Sequence, residues 1–344
     1  MSGKWCESDP GRCQAGSHSP RISLVGSDLR RVEPPYPGGS VWQMHQLPHM
    51  SHIHKWRTIG DQPNFSLLAD LLKGTDADVI GLNEVLHPYP TESGAALSWL
   101  ADELGMSVAF GAREPRRQLG TSSTGGSGDA LLSRFPFVST AWTPVLPIPG
   151  KKDRGFLEAK LDLGNGQTVL VVSLHLDHTD ERARQSQFTD LLVWHELAGR
   201  RPDLIIGDCN CIHPREYEDR PEAFRALSTH AIARHLANGS DGPQLTRQIE
   251  QVGYVDALIQ KGVLGRQTLI REGESVRLDY IWLQADWAPF LTNAGIVEEP
   301  VGHEASDHRP VFADFRRSGR QQGEPNAADV TMNVKPRQMD DGTA

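Results

Sequence analysis

Cysteine is scarce in this chain of 344 residues, and its four copies are poorly placed for cross-linking or for zinc. Cys6 and Cys13 lie in a polar leader, while Cys209 and Cys211 form a Cys-x-Cys, which is not the spacing of a structural zinc site. They read as free thiols in a reducing compartment. Long apolar runs are missing too: nothing approaches the ~20 residues of a membrane-spanning helix, and the N-terminus has no apolar core of a signal peptide. The expected location is therefore cytoplasmic. Positive charge is also in deficit. Thirty-five Lys and Arg against 44 Asp and Glu leave a formal net charge of −9, which repels a long polyanion unless basic residues gather locally. No Lys/Arg-rich amphipathic helix advertises membrane docking, and no internal repeat is present.

What is present fits one large core, because an α/β chain of this length often stays a single domain. Residues 1–20 and 317–344 are rich in polar, Gly and Pro residues and are expected to be disordered. Between them, over 21–316, short apolar runs recur between turn residues: 22–25, 79–82, 130–132, 156–161, 169–174, 204–206, 278–283 and 311–315. These read as strands. Helical spacing appears over 65–72, 181–197 and 222–227. Strands and helices mixed without a regular βαβ repeat point to two packed sheets flanked by helices.

One stretch interrupts this pattern. Residues 33–56 are rich in Pro and Gly and carry His45, His49, His52 and His54; a connection this long is often a lid or binding loop. No Cys or carboxylate completes a metal ligand set there, so solvated surface histidines are the expectation. The basic runs Arg113/Arg116/Arg117, Lys151/Lys152/Arg154 and Arg316/Arg317 read as solvated loops by the same economy.

Chemistry-bearing residues stand at the ends of apolar runs. Ala77–Val85 ends around Glu84, where a hard cation could be held by a carboxylate and a substrate phosphate. Thr168–Leu174 delivers His175, and Asp203–Gly207 delivers Asp208, with Asn210 two positions on. In an extended segment those two would share a face, pairing an acceptor for water with a neutral donor for a phosphoryl oxygen. Asp279, set in an apolar strand, and the Asp307-His308 pair before another strand are how a chain fixes the tautomer of an imidazole. Together these point to metal-assisted phosphoester hydrolysis.

The ordered set Leu-Asn-Glu (82–84), Gly-Asp-Ala-Leu-Leu-Ser-Arg (128–134), Ser-Leu-His-Leu (173–176), Gly-Asp-Cys-Asn (207–210), Arg-Leu-Asp-Tyr (277–280) and Ser-Asp-His (306–308) resembles the endonuclease/exonuclease/phosphatase superfamily of DNase I-like proteins. The resemblance spans roughly 21–316 and implies a four-layer α/β sandwich of two mostly antiparallel sheets, with the site at one rim. It makes Glu84 the principal Mg²⁺ ligand, with Mn²⁺ as a substitute. Asp208 would orient or deprotonate the attacking water and Asn210 would stabilise the transition state. Asp307 would supply a metal- or water-facing acid, and His308 a catalytic histidine held by Asp279. His175 would contact the scissile phosphate or leaving group. The His175-x-Asp177-His178 stretch, with Arg182, Arg184 and Gln187 beyond, is similar to a bacterial subgroup whose substrates are not uniform; His178 and Arg154 join Asp129 as candidate substrate contacts.

Departures from the family pattern matter as well. Asp28 stands where an Asn metal-site residue is usual, and is either a ligand or a turn residue in a misaligned segment. Asp129 replaces a frequent Asn: near His175 it would raise that ring's pKa, and otherwise it is a turn aspartate. Asn83 replaces a Gln, with a loss of reach, and Cys209 reads as a buried thiol. The acidic balance and modest aromatic content argue against a processive or duplex-binding nuclease. The expected substrate is a small phosphorylated metabolite, a nucleotide or a short nucleic acid, with a lipid headgroup ranked lower and no obligate protein partner inferred. A second class stays open: the same fold and metal site turned to a non-hydrolytic or specialised biosynthetic reaction, or to binding alone.

Overall fold

Apolar side chains on both faces mark a strand buried between two layers, and eight such runs become the interior strands of two sheets. The computed structural model describes residues 21–26, 65–87, 90–91, 94–115, 126–164, 166–229, 234–238, 242–269, 276–298 and 306–316. The leader, the tail, the His-rich stretch and Asp28 lie outside them.

The first sheet comprises β1 (Arg21–Gly26), β2 (Val79–His87), β5 (Ser107–Pro115), β6 (Gly126–Ser133), β13 (Leu291–Ile296) and β14 (Val311–Phe315), in the order β13-β14-β1-β2-β6-β5. The second comprises β7 (Phe137–Pro144), β8 (Gly155–Gly164), β9 (Gln167–His175), β10 (Leu204–Asp208), β11 (Tyr254–Asp256) and β12 (Asp279–Gln284), in the order β11-β12-β10-β9-β8-β7. A two-residue hairpin, β3 (Pro90–Thr91) with β4 (Gly94–Ala95), stands apart. Each large sheet is antiparallel except for one central parallel pair, β1 with β2 and β9 with β10. Parallel neighbours need a crossover. In the second sheet it is α3 (Glu181–Leu197), whose start is capped by the Asp180 carboxylate accepting from Arg182 N.

Strand alternation sorts the side chains into layers. Leu131, Leu157, Val171, Ile206, Ile281 and Ala313 fill the space between the sheets. Ile80, Leu82, Ala130 and Leu132 face out from the first sheet onto α1 (Phe65–Thr75) and α2 (Ala96–Leu104) through Leu68, Leu72, Leu97 and Leu100. Val172, Leu174, Ile205 and Trp282 face out from the second onto α3 and α4 (Leu245–Gln251) through Phe188, Leu191, Leu245 and Ile249. Helix, sheet, sheet, helix is the four-layer sandwich. At Gly207 the layers leave no room for a side chain: an added Cβ would lie 1.8 Å from Leu174 O on the neighbouring strand. No helix among the described residues is long and apolar enough to cross a membrane.

Candidate active site

The site begins from strand register. His175 ends β9 and Asp208 ends β10, and the parallel pairing sets them side by side. β10 pairs antiparallel with β12 so that Asp208 also lies opposite Asp279. Three residues spread over more than a hundred positions of sequence thus form one row at a rim of the second sheet. Ligand sites of open α/β sheets gather at such carboxyl ends of parallel strands.

The first sheet meets this row through Asn83. Its amide nitrogen donates to Asp129 Oδ1 at 2.9 Å and approaches Ser173 Oγ at 3.5 Å, while its carbonyl accepts from Asp208 N at 2.9 Å. One buried amide therefore ties β2 to β6 and both to β10. Asp129, 0% exposed, lies within β6 and not in a turn; its partner here is the Asn83 amide.

Two site residues adopt left-handed backbone, Glu84 (φ 57°) and Asn210 (φ 48°). Glu84 sits where the β2–β6 register shifts between Leu82 and Val85, so a bulge redirects a residue that simple alternation would face toward α1 and α2. Its Oε1 is 3.7 Å from His175 Nδ1, and Asp208 Oδ2 is 3.7 Å from His175 Nε2. His175 stands between two carboxylates. Asn210 also departs from the extended geometry expected for it. Its N–H turns back to Asp208 Oδ1 at 2.7 Å and its amide nitrogen donates to Leu176 O at 3.1 Å. A tight turn, not a shared strand face, brings Asp208 and Asn210 together. Non-glycine residues in this region cost about 1–3 kcal/mol and concentrate at functional sites.

His308 Nδ1 lies 2.7 Å from Asp279 Oδ2. Burial alone would push this ring down, but the charge of Asp279 and the hydrogen bond to it, helped by Asp307 and Asp208, lift it to about 10. The imidazole is therefore cationic at neutral pH. Asp208 moves the same way for a different reason. Burial first, then the charges of Asp279 and Glu84, raise its carboxyl to about 7 against the opposing pull of His308 and the Asn210 N–H. Asp279 itself is held by Thr268, whose Oγ1 accepts from Leu278 N at 2.9 Å and Asp279 N at 3.3 Å. A lone buried Thr in an irregular segment leaves no signal in the sequence.

The remaining candidates lie around this centre. Asp177 is buried in the turn after β9, accepting from Thr179 N, Thr179 Oγ1 and Asp180 N, while Lys151 reaches Thr179 Oγ1 at 2.8 Å. Gln187 accepts from Asp177 N, and Arg184 donates to Asp177 O and to Glu181. Gln187 and Arg184 thus lock this loop in place. His178 is exposed on it, Arg154 is buried just before β8, and Asp307 is half-buried beside His308. The basic run 151–154 is therefore only partly solvated: Lys151 is engaged and Arg154 is covered. Cys209 and Cys211 are free, buried thiols.

The donor set fits a hard divalent cation. One oxygen or nitrogen each of Asp208, Asp279 and His308 lies within 4.8 Å of the others, but a protonated His308 cannot ligate, and Asp279 Oδ2 is engaged by it. Oxygen donors remain: Glu84, Asp208 and Asp279 Oδ1, the last buried and without a hydrogen-bond partner among the described residues. The surplus negative charge that lifts Asp208 is what a cation relieves.

The fold is similar to solved structures. An endonuclease/exonuclease/phosphatase family protein from Bacteroides thetaiotaomicron matches with a TM-score of 0.56 at 16% identity, over 87% of this chain and 97% of that one. An AP endonuclease from Archaeoglobus fulgidus matches at 0.53 and 16%, over 86% and 99%. A mannosyl-6-phosphatase from B. thetaiotaomicron matches at 0.53 and 15%, over 86% and 98%. No curated protein matches the sequence. The sequence profile of one family, described as Endonuclease/Exonuclease/phosphatase, spans residues 59–308, from before Glu84 to His308. With a profile match over most of its length, the chain belongs to the endonuclease/exonuclease/phosphatase family.

Proposed function

We propose that this protein is a divalent-metal-dependent phosphoesterase that hydrolyses a phosphodiester or phosphomonoester by in-line attack of water. The substrate is a small phosphorylated metabolite, a nucleotide or a short nucleic acid; similarity to an AP endonuclease and to a mannosyl-6-phosphatase keeps both ester classes within the proposal. The supporting observation is the row of His175, Asp208 and Asp279, in which Asp208 is poised near pH 7 beside a cationic His308.

Asp208 Oδ2, at the carboxyl end of β10 and 3.7 Å from His175 Nε2, takes the proton of the attacking water as general base. His308, held cationic by Asp279, offsets negative charge that grows on the phosphoryl oxygens. Asn210 spends one amide N–H on Leu176 O, and its second is available to a phosphoryl oxygen. His175 sits between Glu84 and Asp208, in reach of the phosphate or leaving group. Glu84 and Asp279 Oδ1, with Asp307, would hold Mg²⁺ or Mn²⁺. Such an ion, when bound, neutralises phosphoryl charge as a Lewis acid.

The test is turnover of an aryl phosphomonoester and an aryl phosphodiester, with Mg²⁺ or with chelator. Wild-type enzyme should turn over at least one ester only with the metal, and Asp208→Ala should lower kcat by about 10²–10³ with its circular dichroism unchanged. Wild-type turnover by Asp208→Ala in Mg²⁺ refutes these roles.

A further inference from the structure

The hydrogen bond between His308 and Asp279 joins the two sheets. Asp279 opens β12 in the second sheet, and His308 lies just before β14 in the first. Its 2.7 Å length therefore depends on how two separately built elements meet, and strand pairing supports neither end fully. On one side of β12, β11 pairs with Trp282, Leu283 and Gln284 and stops short of Asp279. β14 takes up its pairing with β1 and β13 at Val311, beyond His308.

Thr268 fills both gaps. Its Oγ1 accepts from Leu278 N at 2.9 Å and Asp279 N at 3.3 Å, and its carbonyl accepts from Arg309 N at 2.8 Å. Its own N–H and that of Leu269 donate to Val276 O, each at 3.0 Å. Leu269 is bridged antiparallel to Val276 on one side and to His308 on the other. Residues 268 and 269 thus run as a spacer between the chain that enters β12 and the chain that enters β14. The spacer is firmly packed: Thr268 is 0% exposed, and Leu269 is buried against Ile212, Val276 and Leu278. On the far flank Ser306 Oγ accepts from His308 N at 3.1 Å, so the histidine backbone is also held from within its own segment.

A threonine hydroxyl suits this position chemically. Its oxygen has two lone pairs and can accept from two adjacent amides at once. Valine has the same shape and no acceptor, so it would leave both amides buried and unpaired. Serine keeps the oxygen and loses only a methyl group. With the amides released, the Asp279 carboxylate and the His308 ring can drift apart, and a shift of about 1 Å in a reacting group can cost about 10²-fold in rate.

We propose that Thr268 is a positioning residue for the His308–Asp279 pair, fixing the separation of the two chain segments and with it the place of the imidazole in the site. The consequence for catalysis rests on the phosphoesterase reading. The spacing of the pair does not.

The test compares Thr268→Val and Thr268→Ser with wild type in the full chain. In proton NMR of the metal-free protein, the His308 Nδ1–H shared with Asp279 should give a far-downfield resonance, assigned by its loss in His308→Gln. That resonance should broaden away in Thr268→Val and return in Thr268→Ser. With Mg²⁺ and an aryl phosphate ester, Thr268→Val should lose about 10²-fold in kcat with little change in KM, and Thr268→Ser should recover most of it. A folded Thr268→Val that keeps the resonance, or that matches a turning-over wild type in kcat, overturns the proposal. So does a Thr268→Ser as impaired as Thr268→Val. If wild type turns over no ester, the phosphoesterase reading fails and the resonance alone decides the spacing. If Thr268→Val does not fold, deuterium exchange in wild type decides: the Leu278 and Asp279 amides should be as protected as those of Tyr280 to Leu283, and rapid exchange at both overturns the role of Thr268.

Discussion

Replacing Asp208 with Asn should stabilise the metal-free protein while disabling it. The carboxyl is raised from its ordinary 3.8 to about 7 by burial and by Asp279 and Glu84, so the folded state resists ionisation that the unfolded chain accepts freely. The sign follows from linkage. Below about pH 4 both states are protonated and nothing is lost; between there and pH 7 only the unfolded chain ionises, so stability falls; above pH 7 the deficit is constant. At ~1.4 kcal/mol for each tenfold change in proton affinity, the ceiling is about 4 kcal/mol, and relaxation with water entry at buried sites reduces the net effect to about 1–2 kcal/mol. Asn keeps an oxygen for the Asn210 N–H at Asp208 Oδ1 and carries no charge to bury. With ~2–4 °C per kcal/mol in domains of roughly this size, the variant should melt a few degrees above wild type near pH 8 in chelator. The two should converge near pH 4, and saturating Mg²⁺ should close or reverse the gap by stabilising only wild type. Scanning calorimetry at those pH values checks this. A variant that melts lower near pH 8 in chelator, or a gap equal at both pH values, refutes the account of a strained carboxylate.

Three further outcomes follow from the same geometry. Asp279→Asn removes the charge that keeps His308 near 10, so the ring's pKa should fall, kcat should drop by about 10² or more, and the alkaline limb of the pH–rate profile should move down. In wild type the His308 contribution to stability is complete below pH 6.5 and is lost as pH rises through about 10, which urea denaturation across that range would register. Asn83→Ala removes the amide between β2, β6 and β10 and leaves Asp129 and the Asp208 N–H short of a partner; a loss of about 2–3 kcal/mol is expected, read from the urea midpoint.

The strands legible in the sequence share a position in the fold. The runs beginning at Ile22, Val79, Ala130, Phe156, Val169, Leu204, Leu278 and Val311 all become interior strands, β1, β2, β6, β8, β9, β10, β12 and β14. The unread ones, β5, β7, β11 and β13, are the four edges of the two sheets. An edge strand has one partner and an open side, and β7 shows the consequence in Phe137–Pro144, where Val138, Ser139 and Thr140 are exposed. No continuous apolar run is required there, so none marks it. The 17-residue α3 spans enough turns for Phe188, Leu191 and Leu192 to mark it, whereas α2 and α4, at 9 and 7 residues, are shorter than the window over which helical spacing shows.

The chemical cast of the site was also open to reading, because acids, amides and histidines at the ends of apolar runs are local facts. Glu84, His175, Asp208, Asn210, Asp279, Asp307 and His308 can all be named that way. Their arrangement cannot. Asp208 takes its neighbours from strand register and its backbone partner from Asn83, 125 positions away; Glu84 turns inward through a bulge; Asn210 does so through a left-handed turn and not an extended face. Protonation is further still from the sequence, since the same carboxylic acid titrates near 4 in water and near 7 at Asp208 once burial and two other acids surround it. Residue type and apolar periodicity are properties of neighbours along the chain. Register, burial and charge proximity are properties of neighbours in space, and only folding supplies those.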